Sequence, residues 1–198
     1  MYAKVKLESW GVQTEKPTIW LTTAIKKGDR ETDFAGKTLA EVQNIKYYPY
    51  YMDNKDQFNI FLTLKIVTPY KRSPLVIGAP IALILANTQV YGTIIDLSSK
   101  PFNDKYLEKT IYFVKRNSYP GEYEAIKIGD SYFDGTRTAF EILEKSGPEN
   151  ITVKAKISLQ EKNGELVFGE EQVIKPGKLL NLSTLNFAFN DFVVGKIE

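Results

Sequence analysis

Ala24-Ile25-Lys26-Lys27-Gly28-Asp29 returns half a chain later as Ala125-Ile126-Lys127-Ile128-Gly129-Asp130. In both places a second Asp follows four residues on, Asp33 and Asp134, with Gly36 or Gly135 close behind. The flanks agree. Residues 5–8 correspond to 110–114 ahead of the motif, and 39–42 to 139–142 after it. An alternating run follows in each copy, at 58–66 and at 151–157. Two more strand-like segments close each copy, 79–85 and 89–97 in the first, 178–183 and 187–197 in the second. Gly78 and Gly177 precede the first closing segment, and Gly92 and Gly195 lie within the last. Self-similarity on this scale marks a duplicated structural unit.

A period of two dominates, and no segment sustains helical spacing. Each copy is expected to hold five strands and at most one helical turn before Ala24 or Ala125. The fold class is therefore all-β: two tandem related five-stranded units, residues 1–98 and 99–198. They form two small barrels or one pseudo-two-fold barrel. The polar stretch 98–104, with Pro101, joins them. Asn163-Gly164 predicts a two-residue hairpin.

The 198 residues contain no histidine and no cysteine, which removes thiolate nucleophiles, Ser–His triads, disulfides and Cys-ligated metals. With 26 basic and 24 acidic residues, the net charge of +2 is spread without a basic cluster, so no nucleic acid partner is expected. No phosphate-binding Gly loop or nucleophile elbow is present, and no cofactor is expected. Aromatic content is high, with 12 Tyr, 11 Phe and 2 Trp.

Two features carry candidate sites. Asp29 with Asp33, and Asp130 with Asp134, offer oxygen ligands for Ca²⁺. The same Asp residues equally suit turn capping beside glycines of positive φ. Tyr47-Tyr48-Pro49-Tyr50-Tyr51 is the most unusual local composition. Alternation puts Tyr48 and Tyr50 on one face, so Tyr48, Tyr50 and Tyr51 are the candidate binding residues, for a protein or a sugar ring. Trp10 and Trp20 are expected in the core or plugging a barrel.

The stretch 20–42, with Gly78-Ala79-Pro80-Ile81 and Gly92-Thr93-Ile94-Ile95-Asp96, resembles an uncharacterised bacterial family of membrane-anchored extracytoplasmic β domains carrying the Ala-Ile-Lys-x-Gly-Asp motif. In style it is also similar to the β-barrel part of periplasmic adaptor proteins. The resemblance implies a cell-envelope location and an N-terminal membrane helix outside this chain. It implies no activity. The leading expectation is a non-enzymatic envelope binding or scaffold module, acting on a protein partner or on copies of itself. The alternatives are a carbohydrate-binding module using exposed Tyr, and a carboxylate-based glycan hydrolase or lyase.

Overall fold

The computed structural model describes residues 1–9, 16–50, 57–67, 70, 74–184 and 186–198, with Asn190 described by its backbone alone. It is nearly all-β, 57% strand and 5% helix. The first unit, Met1–Asn103, holds β1 (Tyr2–Glu8), α1 (Trp20–Ala24), β2 (Arg30–Thr32), β3 (Thr38–Pro49), β4 (Phe58–Ile66), β5 (Pro80–Ile84) and β6 (Gln89–Ser98). The second, Asp104–Glu198, holds β7 (Tyr106–Lys115), α2 (Glu122–Ala125), β8 (Ser131–Phe133), β9 (Thr138–Ser146) and β10 (Ile151–Lys162). It continues with β11 (Glu165–Phe168), β12 (Gln172–Val173), β13 (Leu179–Ser183) and β14 (Ala188–Ile197). There are two curled sheets, one a nearly closed barrel and the other a half-barrel. Among the described residues no helix is long and apolar enough to cross a membrane.

The first sheet runs β2-β3-β4-β1-β6-β5. In the second sheet β8-β9-β10-β7-β14-β13 repeats that order, and the β11–β12 hairpin is added beside the far end of β10. Each core order thus has six strands instead of the expected five. The additional ones, β2 and β8, are three residues long, too short to display alternation. The Asn163-Gly164 turn joins β10 to β11 with φ of 54° and 77°, as a two-residue hairpin of mirror-image turn type requires.

Backbone hydrogen bonds fix which residues correspond. Gly28 N–H donates to Val42 C=O and Gly129 N–H to Ile142 C=O. Ile25 N–H donates to Leu21 C=O, and Ile126 N–H to Glu122 C=O. Gly78 donates to Ile94 and Gly177 to Val194, both at 2.7 Å. Bulges coincide as well. The β3–β4 register shifts between Val42 and Asn44, and the β9–β10 register at the matching Ile142–Glu144 step. Ile25 and Ile126, 1% and 0% exposed, anchor the repeated motif to its core. On the central strands Ala3 faces Leu64 in one copy, whereas Ile111 faces Ala155 in the other. Small and large have exchanged sides, which conserves packed volume. The second core is further filled by Phe113, Phe140, Phe189 and Phe192, none more than 1% exposed, in mostly edge-to-face contacts.

The two closing-strand glycines are not equivalent. Gly195 is the bulged residue between Val194 and Lys196 and corresponds to Ile95. Gly92 lies opposite Leu7, where a Cβ would stand 2.4 Å from Lys6 O and 2.7 Å from Val5 Cγ1. Its counterpart is Phe192, which pairs with Leu180 as Gly92 pairs with Ile81.

The last strand of each sheet is sealed by a side chain. In the first unit Glu31, 2% exposed on β2, accepts from Ile84 N–H of β5 at 3.2 Å. The Tyr70 hydroxyl donates to Glu31 Oε2 at 2.5 Å and lies 3.1 Å from the Ala82 carbonyl oxygen. In the second unit the Gln172 side-chain amide lies 2.8 and 2.9 Å from the two backbone polar groups of Asn181, and with its oxygen turned to the N–H it pairs with both. Ala82 and Asn181 are the same position of the fold. Unpaired edge groups invite foreign strands, and these contacts occupy them.

Gly92→Ala should cost about 1–3 kcal/mol in denaturant unfolding, because backbone and a core side chain must move. Gly195→Ala, whose Cβ meets nothing nearer than 3.5 Å, should cost under about 0.5 kcal/mol. Tyr70→Phe should cost about 1–3 kcal/mol by removing a buried donor from Glu31 and Ala82. Burial, then the hydrogen bond to Glu31 and its charge, hold the Tyr70 hydroxyl far above its ordinary pKa of 10.0. A raised folded-state pKa gives stability that is full below about pH 10 and lost as pH rises beyond it. The stability gap between wild type and Tyr70→Phe should therefore narrow above pH 10.

Candidate binding grooves

The repeated Asp residues sit at turns. Asp33 Oδ1 accepts from Ala35 N–H and Lys37 N–H, both at 2.9 Å. Asp134, 1% exposed, accepts from Thr136 N–H (2.8 Å), Thr136 Oγ1 (2.7 Å) and Arg137 N–H (3.0 Å). Asp29 Oδ2 accepts from Lys26 N–H at 2.8 Å, and Asp130 Oδ1 accepts from the Asn186 amide at 2.9 Å. Gly28 and Gly129 have φ of 92° and 86°, the conformation that lets the chain turn under these caps. Among the described residues no cluster of three or more acids gathers closely enough to hold a metal ion.

The Tyr-rich stretch does not present one aromatic face. Tyr48 is buried, 7% exposed, with its ring edge-to-face against Phe61. It alternates inward on β3 with Lys46, so it cannot join an exposed surface. Tyr50 follows the end of β3 and is 41% exposed, with the Lys16 ammonium 4.8 Å above its ring. Tyr51 and Trp10 lie outside the described residues. Trp20 is neither core nor plug: it opens α1 and is 54% exposed.

Trp20 instead borders a groove of about 370 Å³ in the first unit, where the end of β1, the start of β6 and residues 16–21 converge. Leu7, Leu21 and Val90 make its apolar floor. Glu8, Gln57, Gln89 and Tyr91 supply polar groups along it. Glu8 Oε1 accepts from Thr93 Oγ1 at 2.6 Å, and the Gln89 amide donates to the Tyr91 hydroxyl, so these groups are held in place. Tyr50 adjoins through its N–H bond to Gln57 C=O at 3.0 Å.

The matching mouth of the second unit carries a charged pair. Lys115 stands where Leu7 does, Glu122 where Leu21 does, Tyr119 where Thr18 does and Phe192 where Gly92 does. Lys115 Nζ reaches Glu122 Oε1 at 2.5 Å with its side chain 6% exposed, and lies 4.7 Å from the Tyr119 ring and 5.9 Å from that of Phe192. Such a pair is retained when each charge is closely matched.

A second groove, about 470 Å³, crosses the sheet surface of the second unit and is lined by Tyr106, Glu108, Arg137, Glu141, Lys156 and Ser158. Its two carboxylates are on β7 and β9, with Lys156 of β10 between them. Lys156 bonds Glu108 at 2.9 Å, and this contact, with the Glu108 charge, holds the ammonium above its ordinary value. The Arg137 guanidinium is stacked 3.4 Å from the Tyr106 ring centre. Lys156 and Glu108 are thus matched to each other within the sheet surface.

No protein family matches this chain, and neither a curated protein nor a solved structure does. The turn role of the Asp pairs is measurable. Asp134→Ala, which removes a buried acceptor from three part-buried donors, should cost about 1–3 kcal/mol. Asp33→Ala, at an exposed turn with two, should cost roughly half that by chemical denaturation.

Proposed function

We propose that this chain is a non-enzymatic binding module of the bacterial cell envelope, and that it engages its partner through the open groove of the first unit. One observation carries this reading. The same mouth is an apolar groove beside an exposed Trp in one copy and holds the Lys115–Glu122 ion pair in the other. Packing needs are common to both copies, so the change from an apolar groove to a charged pair at this mouth points to use and not to stability. The groove combines aromatic area with fixed hydrogen-bonding groups, the composition that dominates binding interfaces. The envelope location rests on the resemblance of residues 20–42 and 78–96 to the extracytoplasmic family.

Isolated bacterial envelope fragments, membranes with attached cell wall, should co-sediment the purified protein. Trp20→Ala should weaken retention roughly 10- to 30-fold, as for truncating an aromatic anchor worth about 2 kcal/mol, without changing the unfolding midpoint. Absence of co-sedimentation, or equal retention of both proteins, overturns the proposal.

A further inference from the structure

We infer that the open groove takes a neutral saccharide chain, with one sugar ring seated against Trp20 and its hydroxyls met by Gln57, Gln89 and Glu8. This rests on the reading of that groove as the binding face. A sugar ring is amphipathic: its C–H face is apolar and its rim carries adjacent hydroxyls that both donate and accept. The groove has the complementary division. Leu7, Leu21, Val90 and the half-exposed Trp20 form the apolar side. Two side-chain amides and a carboxylate form the polar side, and an amide can donate and accept at once. Its volume of about 370 Å³ lies within the range of roughly 300–1,000 Å³ typical of small-ligand sites.

Charge argues against an ionic ligand. Among the described residues, Glu8 and Lys16 are the charged ones on the lining, of opposite sign, and the Lys16 ammonium lies over the Tyr50 ring. An acidic peptide or a phosphate would need an excess of cations here. Gln89 and Glu8 are held by Tyr91 and Thr93, so little ordering is left for binding. The second copy supplies a control within the molecule. Its Lys115–Glu122 pair converts the same location into a packed, charged contact.

The test is calorimetry at 25 °C with chitohexaose, maltohexaose, laminarihexaose and xylohexaose. At least one should bind, and raising salt to 0.5 M should change its affinity less than twofold. Trp20→Ala and Gln57→Ala/Gln89→Ala, all at surface positions, should each weaken it at least tenfold. Transplanting the charged pair as Leu7→Lys/Leu21→Glu should abolish binding, whereas Lys115→Leu/Glu122→Leu in the other copy should change it less than twofold. Circular dichroism checks each variant for folding; if the transplant unfolds, the two surface variants decide. Failure of all four sugars, with envelope co-sedimentation still dependent on Trp20, overturns the saccharide and leaves the groove as the binding face. Loss of both signals overturns the saccharide and the proposed function together. A sugar that binds equally to wild type and Trp20→Ala overturns the site.

Discussion

A curled sheet that stops short of closing must do something with its last strand. In both halves of this protein the answer is a polar side chain placed against the same position, Ala82 in β5 and Asn181 in β13. The first unit uses the Glu31 carboxylate and the Tyr70 hydroxyl, the second the Gln172 amide. The chemistry differs because the strands nearby differ: β2 faces β5 in one case, whereas the inserted β11–β12 hairpin supplies Gln172 in the other. The remaining architecture depends on this. With the last strand secured, β5 and β13 hold β6 and β14 in register, and the starts of those strands define each mouth.

The repeat was legible because its turn chemistry is strict. Gly28 and Gly129 need positive φ, and the Asp residues that follow cap the nearby turn N–H groups. Long strands such as β4 and β10 were legible from alternation, since one face is buried almost throughout. The three-residue β2 and β8 were not, because a period cannot be read in so short a span. The Tyr-rich segment misled for a related reason. Alternation separates neighbouring positions, but β3 ends at Pro49, so Tyr48 and Tyr50 do not belong to the same strand. The groove itself left almost no local signal. Gln57, Gln89 and Tyr91 are unremarkable in sequence, and only the meeting of β1, β6 and α1 makes them neighbours.

Comparison of the copies separates what packing demands from what it merely permits. The exchange of Ala3 and Leu64 for Ile111 and Ala155 keeps volume constant and so changes little. The replacement of Leu7 and Leu21 by Lys115 and Glu122 changes chemistry instead: it trades two apolar side chains for a charged pair. The aromatic cluster around Phe113 shows the second unit investing its space in core, while the first keeps aliphatic residues there and holds its Trp at the surface.

Gly92 bears on how this asymmetry persists through evolution. Its counterpart Phe192 is accommodated because β14 carries an additional residue just before it, with Asp191 at φ 58° re-aiming the strand. In β6 the chain passes so close to Lys6 O that even a methyl group collides. A point mutation therefore cannot place a Phe192-like ring at position 92; an insertion and a substitution would have to arrive together. The two closing strands, once diverged, are separated at this position by a step that neither can retrace singly.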